Sequence, residues 1–201
     1  MIEILTRADE PRVPAWFDQM FRGRAKVFHE RLRWRVVVRD GREMDRYDEH
    51  ERTIYLMAID TAGQVVGSLR LLRAVGETML DNEFRDFFSP PIVIRSAEIL
   101  ECTRFCVHGD QTSSKPNAVS SELMIGLCEF ALANGIREII GLYTSGMTRI
   151  YRRVGWEPRE IAVAKPEFGR LILGTWAVST AALQTMTLRA GSSRERAPSA
   201  Q

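Results

Sequence analysis

The run "AEILECTRFCVH", Ala97 to His108, decides how the rest of the chain is read. It is rich in aliphatic, aromatic and sulfur side chains and is bounded by turn formers, so it reads as a β-strand. Two charges, Glu101 and Arg104, interrupt residues that otherwise look bound for a core, and buried charges need partners. Regular alternation sends positions 101 and 104 to opposite faces. If both serve one site, the strand must bulge or splay near Cys102–Arg104.

Outward from this strand, "GDQTSSKPN" (109–117) is a turn-rich connector. Asn117 to Ala133 then reads as a helix stopped by "NG", with Gly135 placed to cap it, and "IREIIGLYT" as a second apolar strand. Upstream, Ile54–Asp60, the turn "TAG" and Gln64–Leu72 form a β-hairpin, and "LDNEFRDFF" has short-helix character ended by "SPP". A helix spans about Pro14 to Leu32 after the short apolar opening "MIEIL", and residues 35–53 are a long polar loop. Toward the other end, "GMTRIYRRVGW" is a short helix, "REIAVAKP" and "GRLILGTWAV" are strands, and Ser179–Leu188 is a final helix. The order α, ββ, α, β, α, β, α, ββ, α predicts an α/β fold with a largely antiparallel sheet and helices on both faces.

The 201 residues are 45% apolar and 27% charged with a formal net charge of +2. That is the balance of one globular domain, here expected over residues 1–190, with 191–201 a disordered tail lacking aliphatic bulk. So mild a charge gives no argument for a nucleic-acid partner, and no helix-turn-helix or aromatic-basic sheet signature appears. Cys102, Cys106 and Cys128 lack CxxC spacing and read as free, buried thiols of a reducing compartment. There is neither a signal-peptide pattern nor an apolar run long enough to span a bilayer, so the expectation is a cytoplasmic protein with no membrane partner.

The candidate functional residues are scattered along the polymer. In the opening helix Arg24, Phe28 and Arg31 recur at i, i+4 and i+7, with Trp34 just beyond; arginine in a stripe that should be apolar signals a polar pocket or a solvated face. The loop "REMDRYDEH" carries Asp45 and Asp48 three apart, which one turn can aim the same way. Arg70 sits among apolar neighbours in the hairpin. Singly each of these has an ordinary surface explanation. Together, the carboxylates Asp45, Asp48 and Glu101, the arginines Arg24, Arg70 and Arg104 and the aromatics Phe28 and Trp34 are harder to explain one by one.

In this arrangement the sequence resembles the acyl-homoserine-lactone synthases, the LuxI-type autoinducer synthases. The pattern is carried by Arg24, Phe28 and Trp34, by Asp45 and Asp48 with Met44 and Tyr47 before them, and by Arg70, Phe84, Glu101 and Arg104. "RRVGW", Arg152–Trp156, matches the family's second half, and the likeness spans about residues 1–180. It implies a fold like the GCN5-related N-acetyltransferases, an α-β-α sandwich with a mixed, mostly antiparallel sheet. It implies an enzyme that acylates the amine of S-adenosylmethionine from an acyl thioester, on acyl carrier protein or coenzyme A, and closes the lactone with loss of methylthioadenosine. S-adenosylmethionine is then a substrate, and neither cofactor nor metal is expected. Glu101 and Arg104 become the catalytic pair, with Glu101 the base; its other reading is a buried partner for an arginine such as Arg70. Arg24, Phe28, Trp34, Asp45, Asp48, Arg70 and Phe105 bind S-adenosylmethionine or lock the loop over it, Arg24 pairing with Asp45 or Asp48. Arg31 lies outside the pattern and reads as solvated. The acyl pocket is expected from Phe84, Met124, Gly141, Leu142, Tyr143 and Thr144, with Gly141 removing a hydroxyl from the acyl chain's 3-position. A threonine there accompanies 3-oxo products in the family, so a chain without the 3-oxo group is expected. The acyl arm would enter between the strands 97–108 and 137–144. The connector "GDQTSSKPN" lacks the acetyltransferases' glycine-rich pyrophosphate loop, which suits a carrier-protein donor. Arg149, Arg152 and Arg153, in a stretch with six basic and three acidic residues, would dock that acidic carrier; an ordinary solvated face explains them too. The rival function is a GCN5-like N-acyltransferase with another amine acceptor, and a further one is a sensor that binds S-adenosylmethionine without turnover.

Overall fold

The computed structural model of the chain describes residues 1–108 and 116–195. Its strands are β1 (Ile2–Thr6), β2 (Val38–Arg39), β3 (Arg42–Glu43), β4 (Ile54–Ile59), β5 (Val65–Arg73), β6 (Ile99–Val107), β7 (Glu138–Thr144), β8 (Arg159–Val163) and β9 (Leu171–Ala177). The helices are α1 (Pro14–Arg24), α2 (Pro116–Ala133), α3 (Thr148–Val154) and α4 (Thr180–Glu195). Seven strands follow the order β1-β4-β5-β6-β7-β9-β8, and β2 and β3 form a small separate ribbon. The pairings β1–β4, β4–β5, β7–β9 and β8–β9 are antiparallel, and β6–β7 is parallel. The predicted hairpin and strand 97–108 are therefore present. The opening "MIEIL" is not a mere lead-in but a strand, paired from Ile2↔Ala58 to Thr6↔Ile54. α4 continues to Glu195, past the expected end of the domain at residue 190. Extending a formed helix gains one hydrogen bond per residue without a new nucleus, which offsets the poor propensity of "GSS". The connector 109–115 and residues 196–201 lie outside the described residues, and so does the expectation of a missing phosphate loop there.

By contacts the chain forms two compact units, Met1–Leu72 with Cys102–Leu123, and Arg73–Glu101 with everything from Met124 on. In the first unit alternation along β4 sends Tyr55, Met57 and Ile59 to one face, where Phe17, Met20 and Phe21 of α1 close a core. Tyr55 meets Phe17 edge-on with ring centroids 5.6 Å apart, a favoured aromatic geometry. The other face receives the start of α2 at Gly67, where a Cβ would lie 2.8 Å from Val119 Cγ1. In the second unit Tyr143 and Trp176 share one sheet face with Tyr151 of α3, while Ile140, Leu142 and Leu173 on the opposite face meet Leu80, Phe84 and Phe88. Gly155 ends α3 with φ 94°, a left-handed cap that an L side chain resists. All three cysteines are free, and burial pushes the Cys106 thiol up to about 11.

His108 follows β6 and lies against Gly23, where a Cβ would come within 2.3 Å of its ring. Its Nε2 is buried with no hydrogen-bond partner among the described residues. Burial, with Lys26 and Arg31 adding to it, pushes the imidazole down to about 4. An unfolded histidine titrates near about 6.5, so between those values the unfolded chain binds more protons. Stability from this group is therefore complete above pH ~6.5 and is lost as pH falls toward the folded value, with a ceiling on the order of 3 kcal/mol. Thermal melts of the wild type and His108→Leu check it: the variant's Tm is expected to stay flatter between pH ~6.5 and ~4.5.

Candidate active site

The first unit assembles its site around the end of α1. There the chain changes winding, and Ala25–Arg31 takes i→i+5 hydrogen bonds, such as Leu32 N–H to Val27 C=O at 2.9 Å. Wider winding of this kind adds a residue to the turn and recurs at functional sites. It turns Arg24 and Phe28 inward, 1% and 2% exposed, and releases Arg31 to solvent. The expected stripe at i, i+4 and i+7 is thus broken at its third member, and Arg31 is solvated as read.

Arg24 donates to both oxygens of Asp48 at 2.9 Å and through Nε to Glu43 at 2.6 Å. Asp48 also accepts from Tyr55 Oη at 2.8 Å and from the Asp45 backbone N–H at 2.9 Å. Asp45 in turn accepts from the Tyr47 N–H at 3.0 Å, so the two aspartates cap the turn Arg46–Glu49 reciprocally. Arg70, on the sheet face that carries Tyr55, reaches both oxygens of Asp45, Asp48 at 3.0 Å and Thr103 Oγ1 at 3.0 Å. Arg104 reaches Glu43 at 3.0 Å and Asp45 at 2.8 Å. Three guanidinium groups and three carboxylates therefore form one connected, charge-balanced cluster.

Exposure divides this cluster. The side chains of Arg24, Glu43, Asp48 and Arg70 are at most 1% exposed, whereas Arg104 and Asp45 are 10% and 20% exposed. The first four are a frame that fixes the loop 43–48; the last two present charge outward. Burial works against the charge on Asp48, but Arg24 and Arg70 outweigh it and hold its carboxyl well below the usual carboxylate range. Burial likewise opposes the charge on Arg24, and Asp48 and Glu43 keep it protonated. Burial first and Asp48 next push the Tyr55 hydroxyl far up, so it serves as a neutral donor. The expected pairing of Arg24 with the aspartate loop holds for Asp48. Glu43, Tyr55 and Thr103 were not read from the sequence; Glu43 stands next to Met44 in the same loop, and its two-residue strand was too short to be legible.

Around the outward pair lies the aromatic element. Phe28 stacks on Trp34, with centroids 5.2 Å apart and planes at 19°, and the Arg104 guanidinium lies 5.7 Å from the Phe28 ring. Trp34 is 42% exposed and lines a surface pocket with His29, Arg33, Arg35 and Val36. Phe105 is half-buried beside Arg104 in sequence. Arg104 itself has φ 54°, rare for a residue other than glycine and costly unless its surroundings enforce it. The pairing of β6 with β7 stops at Glu101↔Ile140. The strand is thus irregular in the region Cys102–Arg104.

Glu101 belongs to the second unit. It is 2% exposed, and its carboxylate accepts the backbone N–H groups of Met79 at 2.8 Å and Leu80 at 2.9 Å. Its carboxylate is thus held by a loop, while Asp45 and Asp48 supply counter-charges to Arg70. The expected acyl-pocket set does not stay together. Phe84 and Leu142 belong to one apolar cluster with Leu80, on the sheet face that Glu101 shares through its register with Ile140. Thr144 is exposed. Gly141 and Tyr143 alternate to the opposite face, where Tyr143 packs on Tyr151 and Trp176 at 5.2 and 5.6 Å. A side chain at 141 would point to the sheet face opposite the one that Glu101 shares, and Tyr143 is buried at 8% exposure. Met124 is buried at 3% exposure as a plain helix core position. Arg149, Arg152 and Arg153 are exposed on α3, with Arg152 3.5 Å from Glu157. Among the described residues no cluster of His, Cys, Asp and Glu has the makings of a metal site, and no helix is long and apolar enough to cross a membrane.

Comparison with known proteins supplies a second line. A family model described as autoinducer synthase matches residues 10–182. An acyl-homoserine-lactone synthase of Rhizobium etli is 48% identical over 197 residues, covering 96% of this chain and 91% of the relative. Among solved structures, the CoA-dependent acyl-homoserine lactone synthase BjaI with SAM and isopentyl-CoA matches with TM-score 0.83 at 25% identity, over 95% of this chain and 89% of that one. An acyl-CoA N-acyltransferase from Pseudomonas aeruginosa, at TM-score 0.56 and 14% identity over 89% of this chain and 99% of that one, shares the fold alone.

Proposed function

The chain belongs to the autoinducer synthase family and is an acyl-homoserine-lactone synthase, and from that premise we propose how its residues divide the work. S-adenosylmethionine is the acceptor, and the donor is an acyl thioester on coenzyme A or acyl carrier protein. The observation that carries this reading is the charge cluster of the first unit, in which a buried frame holds Arg104 and Asp45 as its outward members. Arg104 clamps the acceptor's carboxylate and Asp45 receives its cationic end, while Phe28 and Trp34 offer π faces to the sulfonium or the adenine. Arg24, Glu43, Asp48 and Arg70 act through the loop and do not touch the substrate.

Glu101 is the general base. Three residues along one strand keep its backbone within about 10 Å of that of Arg104, whatever the side chains do. The acceptor amine must be neutral to attack. As its nitrogen bonds to the thioester carbonyl carbon, Glu101 takes its proton directly or through one water; the carbon–sulfur bond breaks with its electron pair on sulfur, and the proton held on Glu101 passes to that sulfur so that the donor leaves as a thiol. The acyl chain lies on the apolar face with Phe84 and Leu142, which also carries Glu101. In the second step the acceptor's own carboxylate oxygen bonds to the carbon bearing the sulfonium, and methylthioadenosine departs with the carbon–sulfur electron pair. Holding that conformer supplies most of this step. The exposed arginines 149, 152 and 153 are the candidate carrier-docking face.

Mass spectrometry of reactions supplied with S-adenosylmethionine and either acyl-CoA or acyl carrier protein tests this reading. Acyl-homoserine lactone and methylthioadenosine are expected in equal amounts. Acylation of another amine with S-adenosylmethionine untouched would favour the acetyltransferase-like rival. A preference for carrier protein that is lost on replacing Arg149, Arg152 and Arg153 with Ala would assign the docking face.

A further inference from the structure

The loop that holds Glu101 is itself built. Thr78 and Asp81 bound a helical turn, 2% and 9% exposed. Thr78 Oγ1 accepts the Asp81 N–H at 3.2 Å and donates to Asp81 Oδ2. The Asn82 side chain donates to Thr78 C=O at 2.9 Å, and the Phe84 N–H closes on Met79 C=O at 2.9 Å. From outside, Arg95 pairs with Asp81 Oδ2 and donates to Gly76 C=O at 3.0 Å. The first N–H groups of such a turn have no partner inside it. Here the third is taken by the Thr78 hydroxyl, in the manner of a helix cap. The remaining two, on Met79 and Leu80, take one oxygen each of the Glu101 carboxylate at 2.8 and 2.9 Å. The direction of those two amides, and with it the plane of the carboxylate, is therefore set by Thr78 and Asp81. Asp81 Oδ1 is buried with no partner among the described residues. An unpaired interior carboxylate oxygen costs stability, so stability alone does not account for an aspartate at this position.

We propose that Thr78 and Asp81, braced by Arg95, are positioning residues that aim Glu101 during acyl transfer. This rests on the reading of Glu101 as the base. Thr78→Val keeps the shape of the side chain and removes the hydroxyl. It is expected to lower kcat by roughly 10- to 100-fold, the scale of a misaimed catalytic group. KM for S-adenosylmethionine and for the acyl donor should stay within about twofold, because neither contact set is touched. Thr78→Ser, which restores the hydroxyl, should recover most of the rate.

The decisive arm is a double variant. In a Glu101→Gln background, single-turnover product formation is followed by mass spectrometry over long incubations. Thr78→Val is expected to add less than about twofold to the loss, since residues acting through one group are not additive. An unchanged kcat in Thr78→Val, a loss confined to KM, no rescue by serine, or losses that multiply in the double variant would each overturn the brace. Full activity of Glu101→Gln alone would instead overturn the assignment of Glu101 as base, a result distinguishable from all of these.

Discussion

Glu101→Gln is expected to slow amide formation by about 10²- to 10⁴-fold, the usual contribution of a positioned general base. Single-turnover kinetics with saturating acyl donor measure it. The change is nearly isosteric, but the new amide faces two backbone donors where a carboxylate faced them before. One donor keeps an acceptor and the other meets an N–H, a loss of about 1–3 kcal/mol. For a chain of this length that lowers Tm by roughly 2–12 °C, on the scale of 2–4 °C per kcal/mol. The folded variant should still bind S-adenosylmethionine, since Arg104, Asp45, Phe28 and Trp34 are untouched. A variant that binds the acceptor and forms amide at the wild-type rate would remove Glu101 from the mechanism and leave it as an anchor of the loop.

Arg24→Ala should have the largest effect on stability. It strips the buried carboxylates of Asp48 and Glu43 of a guanidinium that makes three hydrogen bonds. Removing one partner of a buried ion cluster costs about 3–5 kcal/mol, because the remaining charge stays desolvated. The expected fall in Tm is then roughly 6–20 °C. Activity should fall with it, because the loop that carries Asp45 loses its frame. The same cluster adds an acid-dependent loss below the range of His108. Asp48 is held well below the usual carboxylate range when folded, by Arg24 and Arg70 against the effect of burial. Its contribution is therefore fully present above the unfolded value near about 3.9 and disappears as pH falls below it toward the lower folded value. Melts of wild type at pH ~5, ~4 and ~3 should show stability dropping across this window, with Asp48→Asn lower than wild type at pH ~5 and converging on it at the acid end.

The parts of the fold visible in the sequence were those whose signal is local. Ile54–Asp60 and Gln64–Leu72 announce a hairpin because a three-residue turn separates two apolar runs, and the helix after residue 116 announces itself by length. β1 escaped because five residues give too short an alternation to separate a strand from an apolar lead-in. The winding change at Ala25–Arg31 escaped because the 3.6-residue period was assumed to continue. Adjacency of Gly141, Leu142 and Tyr143 in sequence hides the twofold alternation that sends neighbours to opposite faces. Glu43 is not legible in the sequence, since a lone glutamate in a polar loop looks like any solvated one.

From the order of residues alone come the family pattern, the charges that need neutralising, and the expectation that β6 is irregular if Glu101 and Arg104 serve one site. Those conclusions depend on residue type and spacing, which the chain carries covalently. Which acid meets which arginine, which of them are frame and which face outward, and what holds Glu101 were decided by folding. A pairing of charges is a matter of distance and desolvation, and residues such as Arg24 and Asp48 or Leu80 and Glu101 acquire both when the backbone between them has closed.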